Sequence, residues 1–453
     1  MKGSNLKGIN SNNKSNKQLN AYTLAGMGIG GIIGSGFFLG SGIAIKEAGP
    51  SVILAFLLGG LIMSQVLGSM TSISINRPVT GSFRVYTEQF LGKFTAYLLG
   101  WIIYLSGILG TAAEAIAGAV FLKYWLPKLS TALLAICVVV VVILINMLEM
   151  KFFSYIESSM AVLKIIIMVA FIGIGVIFLY SHGIQVKPLP FAKIQNLFPN
   201  NLSGFLQSML IVTFTYSGIS TIAMATADAK NPHITIPKAT VIVTTGLVSL
   251  YTLIVLIIVL TVNWNLINTN SSPLIQSLNS MNINWASGVI NGVILIATFS
   301  VMIGNYYSCD QMLISLSEAK EAPSMFKNKT KKDFYLNAWI LTGVTSLLIV
   351  MMSFALSTEL FNYLISACSY FSFFNWIINL IVYIIWLKKR SSEEKLTSPL
   401  IWGRNGAYGT IIVILILFLM SLQVSDFRIG FYCAAVITLL IGISYKFQKQ
   451  ISN

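Results

Sequence analysis

The sequence predicts an all-α polytopic membrane protein with about twelve transmembrane helices, because a bilayer crossing takes roughly 20 apolar residues and runs of that kind recur along all 453 residues. Three observations support this fold class. Hydrophobic residues make up 56% of the chain and charged residues only 9%, against about 25% charged in soluble domains; a soluble chain so apolar could not cover its own surface. The apolar runs extend from one end to the other, so there is no single anchor beside a soluble domain. The basic residues fall in short segments between the runs, and every second segment holds most of them.

The runs lie near residues 21–45, 50–72, 94–122, 130–150, 157–180, 204–226, 236–262, 285–316, 336–356, 360–387, 407–424 and 427–446. The longest connections, around 181–203, 263–284, 317–335 and 388–406, leave no room for a separate soluble domain. Residues 1–20 are polar, rich in Asn and Lys, and lack the apolar stretch of a cleavable signal. They read as a cytoplasmic tail. With that end inside, lysines and arginines in the inner segments outnumber those in the outer ones about four to one. Both termini are therefore expected in the cytoplasm, with an even number of crossings of the cell membrane.

The net charge of +15 does not point to nucleic acid, since the basic residues are spread over these short loops and form no single patch. Cys137, Cys309, Cys368 and Cys433 all fall inside apolar runs and read as small packing residues. His182 and His233 sit in or beside loops, without metal-ligand spacing. No metal or cofactor is expected, and no segment gathers the nucleophile, base and orienting group of an enzyme.

The first run is unusual. From Gly26 to Gly40 it holds seven glycines in fifteen residues, and each interior glycine costs about 1 kcal/mol of helix stability relative to alanine. Two readings compete. One is close helix packing through small residues. The other is a break near Ile33-Gly34-Ser35-Gly36, which would free backbone N–H groups to hold a carboxylate. Such a break is tolerated at membrane depth only where it lines a cavity. The sixth run has a polar, glycine-containing middle from Thr213 to Ser220, followed by Lys230-Asn231-Pro232 and Ile236-Pro237-Lys238, where prolines stop one helix and start the next. Here hydroxyls bonding back to their own helix are the competing explanation. The two interruptions stand five helices apart. A repeat of five helices inverts its topology, and broken helices at matching places in two inverted halves mark the substrate site of many transporters.

Two ionisable residues lie deep in runs. Such residues are functional candidates by default. Lys164 stands seven positions past Glu157 in the fifth run, and Glu114 stands among small neighbours in the third, in Gly110-Thr111-Ala112-Ala113-Glu114-Ala115. For Lys164 the alternative is snorkelling to the membrane surface. For Glu114 it is a structural hydrogen bond to a neighbouring helix. Asp310 is a third candidate, facing the cytoplasmic vestibule. Trp101, Tyr104, Tyr306, Tyr370 and Trp376 read as packing or interfacial aromatics.

The stretch Gly28-Ile29-Gly30-Gly31-Ile32-Ile33-Gly34-Ser35-Gly36-Phe37-Phe38, followed by Ser41-Gly42 and Ala48-Gly49-Pro50, resembles the first-helix signature of bacterial amino acid permeases of the amino acid–polyamine–organocation superfamily. Pro78-Val79-Thr80-Gly81-Ser82-Phe83, Gly100-Trp101, Phe214-Thr215-Tyr216-Ser217-Gly218, Lys230-Asn231-Pro232 and Ile236-Pro237-Lys238-Ala239 extend the resemblance in order, over about residues 20 to 390. It implies a five-plus-five inverted repeat over residues 21–387 with helices 1 and 6 broken, a loop at 388–406, two added helices over 407–446 and a short tail at 447–453. It implies that backbone around Ile32, Ile33, Gly34, Ser35 and Gly36 holds the substrate carboxylate, and that carbonyls near Phe214, Thr215 and Ser217, beside Gly218, hold its amino group. Tyr216 and Ser220 would point toward the pocket or its lid. Lys164 would take the place of a sodium ion, bridging the first-helix break and the eighth helix near Ser300; a lysine stripped of water can bind and release a proton. Glu114 would contact a substrate amino group or relay a proton.

The chain departs from relatives in two places. Ser220 stands where many have an acid, and Gln311 stands where an arginine is common, with Asn305 the nearest asparagine. Both bear on substrate class, with a neutral amino acid preferred over a basic one, which Glu114 keeps open. The expected function is proton-coupled uptake of an amino acid by alternating access. An exchanger with no net ion coupling and a receptor subunit that binds without transport are the alternatives. The partners are an amino acid, a proton and the lipid bilayer; the sequence sets no oligomeric state.

Overall fold

The computed structural model describes residues 19–77, 82–147, 150–184, 186, 189–219, 222, 229–269, 271–330, 334–355, 360–394 and 396–451. Among them the chain is all helical, with no strand. In chain order the α-helices are α1 Ala21–Ile32, α2 Ser35–Phe38, α3 Gly40–Ala48, α4 Val52–Asn76, α5 Ser82–Leu91, α6 Lys93–Leu122, α7 Thr131–Ile145, α8 Met150–His182, α9 Ile194–Leu197 and α10 Asn201–Thr215. They continue with α11 Pro232–Thr261, α12 Pro273–Ser280, α13 Ala286–Glu318, α14 Leu336–Met351, α15 Leu360–Lys389, α16 Gly403–Ser421 and α17 Ser425–Ile451. Among the described residues ten helical runs are long and apolar enough to cross a membrane, and Ala21–Ile32 and Thr131–Ile145 are shorter apolar helices.

Burial sorts these helices. About three quarters of the most apolar stretch is buried in Ser35–Asn76 and Leu360–Lys389, but only 22% in Ser159–His182, Gly403–Ser421 and Phe427–Gln448. The first group forms the centre. The second turns Val162, Ile166, Ile177, Leu419 and Leu439 outward, as helices facing lipid do. The central helix α6 packs against α13, α15 and α7, while α11 packs against α4 and α1, and α10 against α3.

The first run is interrupted where its glycines cluster. Asn20 caps α1 by accepting the Thr23 N–H, α1 ends at Ile32, and Ile33 and Gly34 are extended before α2 begins at Ser35. Leu39 turns α2 into α3, with the Leu39 N–H bonded to the Ser35 carbonyl at 2.8 Å. In the sixth run α10 ends at Thr215, and a 3-10 turn covers Ser217–Ile219. Prolines act differently from the sequence reading. Pro232 opens α11, where a missing N–H costs nothing, while Pro237 lies inside that helix and not at its start. Two segments read as loops are amphipathic helices, α5 and α12. Ser220, the segment 223–228 and Pro78–Gly81 lie outside the described residues.

Candidate functional site

The two interruptions meet. A Cβ on Gly218 would lie 2.6 Å from the Gly31 carbonyl oxygen and 3.0 Å from Ile32 Cα, so only a glycine lets the end of the sixth run touch the end of α1 this closely. Beside this contact a cavity encloses about 940 Å³ of non-atom space, part of it open to solvent. Gly31, Ile32 and Gly36 line it from the first run, and Phe214, Thr215, Ser217 and Gly218 from the sixth. From the contact it extends along α6 from Glu114 back to Ile102, along α13 from Val301 to Cys309, and along α15 from Cys368 to Asn375.

Of the backbone positions predicted to hold a carboxylate, Ile32 and Gly36 line the cavity, while Ile33, Gly34 and Ser35 are buried behind its wall. The Ser35 N–H is already engaged: it donates to both carboxylate oxygens of Glu114, at 3.1 Å to Oε1 and 2.9 Å to Oε2. Gly34 makes room for this. A Cβ there would lie 2.6 Å from Glu114 Oε1 and 2.8 Å from a Val301 methyl. Glu114 itself is 3% exposed.

Lys164 is fully buried, and its ammonium donates to the Gly30 carbonyl at 2.6 Å. That carbonyl belongs to the last turn of α1, just before the break. Ser300 on α13 is buried with no hydrogen-bond partner for its hydroxyl, so the expected bridge does not reach it. Tyr216 does not line the cavity. Its ring is fully buried, and its hydroxyl donates to the Phe56 carbonyl at 3.1 Å. It joins Phe37, Phe56 and Tyr251 in an aromatic cluster, where Phe37 and Tyr251 stack at 4.0 Å. Asp310 lies outside the cavity wall and accepts the Thr342 hydroxyl at 2.6 Å.

Some lining residues had no signal in the sequence. Cys309 and Cys368, read only as packing residues, are in the wall. So are Ser106, Gly107 and Gly110 on α6, Ser308 on α13, and Phe371 and Ser372 on α15. The polar ones sit on helices whose apolar residues dominate, and a helix buried on most sides shows no one-sided pattern that would single them out. Asn305, noted in the sequence for its shifted position, also lines the cavity. Among the described residues no group of three or more His, Cys, Asp and Glu is placed to hold a metal ion.

The amino acid permease family model matches residues 24–452. The chain belongs to the amino acid permease family. Among similar proteins, all of Bacillus subtilis strain 168, the uncharacterized amino acid permease YvbW is 31% identical over 92% of this chain and 94% of its own length. The amino-acid permease AapA is 27% identical over 94% of this chain and 93% of its own length, and the gamma-aminobutyric acid permease 26% over 96% and 94%. Permeases of this family are membrane transporters and not enzymes. Membership and the ten apolar helices together make this chain a multi-pass cell-membrane protein whose family points to amino acid transport.

Proposed function

We propose that this permease imports a neutral amino acid, coupled to a proton, by alternating access. The observation that carries the reading is the placement of Lys164: a fully buried ammonium bonded to the last turn of α1, beside a cavity lined by both interrupted helices. A buried ammonium bonded to the interrupted helix is placed to take up and release a proton as that helix moves. In its charged form it ties Gly30 to α8. As the neutral amine it loses most of that attraction, and α1 is free to shift.

Two apolar helices and ten longer runs fit twelve crossings, because Ala21–Ile32 together with α2 and α3 makes one crossing and α4 makes the next. Interruptions in the first and sixth of these support a five-plus-five inverted repeat with two added helices. Both termini then lie in the cytoplasm. The cavity extends toward the ends of α6, α13 and α15 that carry Lys93, Lys320 and Lys388, which are the cytoplasmic ends by the positive-inside rule. In this orientation the site faces inward.

The lining supports a neutral substrate. Among the described residues the lining holds no lysine, arginine or histidine to meet a side-chain acid, and Glu114, the carboxylate among them, accepts the Ser35 N–H. The amides and hydroxyls of Asn305, Ser308 and Ser106 offer hydrogen bonds without charge. Reconstituted protein in vesicles, given an inward proton gradient, is expected to accumulate a neutral amino acid. Counterflow without accumulation, unchanged by pH, would assign exchange instead, and binding without flux would assign a receptor.

A further inference from the structure

The amino acid reading gives the backbone around Ile32, Ile33, Gly34, Ser35 and Gly36 to the substrate carboxylate, yet the structure has the Ser35 donor taken. Glu114 comes from α6, 79 residues away in sequence, and places both oxygens on it. The contact is built from several sides. Gly34 has no side chain to displace Oε1, a Val301 methyl packs against Gly34, and Glu114 is buried. One N–H cannot serve two carboxylates, and two carboxylates brought together away from water repel strongly.

We propose that Glu114 is a resident stand-in for the substrate carboxylate: it holds the Ser35 N–H and must yield it when an amino acid binds. This rests on the amino acid reading for the identity of the incoming group. The charged and titratable groups around Glu114 set how it yields. The groups that act on it electrostatically are Lys164 on α8, Tyr251 on α11 and Cys368 on α15. Lys164 is the one cation among these, and it is bonded to Gly30 four residues before the break. An acid pH favours the handover, because a protonated Glu114 accepts the N–H more weakly and no longer repels an incoming carboxylate. The contact fills the Ser35 donor, so that the broken backbone is not left unsatisfied at membrane depth. It also makes substrate binding depend on the protonation of Glu114 as well as of Lys164.

The test compares the full-length wild type with Glu114→Ala and Glu114→Gln, using amide hydrogen exchange of the segment 33–38 together with binding titrations. The probes are L-alanine, L-leucine and L-glutamine, and their carboxamides, which keep the side chain and lose the anion. Without ligand, Ser35 in Glu114→Ala is expected to exchange about tenfold faster than in the wild type. A bound amino acid restores the protection, and the carboxamides do not. Amino acid affinity rises about tenfold in Glu114→Ala and less in Glu114→Gln, where a neutral acceptor remains. Lowering the pH tightens binding in the wild type and leaves Glu114→Ala nearly flat. Unchanged Ser35 exchange in Glu114→Ala would overturn the contact. Weaker amino acid binding in both variants would overturn the competition and make Glu114 a ligand of the substrate amino group. If exchange rises in Glu114→Ala but no amino acid protects the segment in any form, the contact stands, the amino acid reading fails, and the competition falls with it.

Discussion

At the first-helix break the buried charges bind main chain, Lys164 to the Gly30 carbonyl and Glu114 to the Ser35 N–H; near the start of α6 the buried charges bind each other, Arg84 to Glu321. Arg84 and Glu321 are 4% and 7% exposed, with a nitrogen–oxygen distance of 2.7 Å, and Glu88 lies 3.3 Å from the same guanidinium. The partners differ in what can separate them. A side chain held by the backbone of an interrupted helix loses its partner whenever that helix shifts. An ion pair between α5 and the segment after α13 parts only if those segments part. The first arrangement suits charges that must change state during transport. The second suits a fixed joint, and it contributes to stability only as long as both partners are present.

The comparison can be broken by removing one partner on each side. Lys164→Ala is expected to leave a folded, inserted protein and to lower proton-driven amino acid uptake by about a hundredfold, with facilitated exchange less affected, as measured in vesicles with and without a pH gradient. Retained accumulation would place the coupling elsewhere. Arg84→Ala is expected to reverse the pattern. It leaves Glu321 buried without its cation, a loss of about 3 kcal/mol, read as a lower thermal midpoint in detergent, while the protein that remains folded still transports. Burial pushes the Glu321 carboxyl up from its usual range, and the Arg84 guanidinium opposes this. Glu321→Gln should therefore be tolerated better than Arg84→Ala.

Gly218→Ala sharpens the comparison from the backbone side. A methyl would sit against the Gly31 carbonyl and Ile32 Cα, so uptake is expected to drop about tenfold and the thermal midpoint to fall, since the backbone at the contact of the two interruptions must shift. The smallest effect is expected at Arg77 and Glu394, a half-exposed pair joining the end of α4 to the segment after α15. The Arg77 guanidinium holds the Glu394 carboxyl below the usual carboxylate range. Its contribution is thus complete above that range and is lost as the pH falls through the lowered value. Hydrogen exchange in 391–402 should quicken only in acid, and Arg77→Ala should abolish that step.

The first interruption was legible because glycines are costly in a helix and seven of them fall within fifteen residues. Lys164 and Glu114 were legible because charge at membrane depth is rare. The first-helix partner of Lys164 came only from the family resemblance, and the partner of Glu114 had no signal at all. The Glu114–Ser35 contact joins residues far apart in sequence, and no local pattern encodes it. Tyr216 was read as facing the pocket, yet its ring packs among Phe37, Phe56 and Tyr251; an aromatic beside a break serves either role, and packing decides. Pro237 was read as a helix start because Pro232 and Pro237 are both close to a boundary, and only one of them can occupy the first turn. The cavity wall on α15 was invisible for a simpler reason. Cys368, Phe371, Ser372 and Asn375 are spaced as any buried helical face would be.

The central claim is that amino acid and proton move together. It is tested most directly by adding a neutral amino acid to vesicles containing the permease and recording external pH alongside uptake of the labelled amino acid. The account predicts alkalinisation of the medium in step with uptake, abolished by a protonophore and absent in Lys164→Ala. Uptake that proceeds with no proton movement would contradict it.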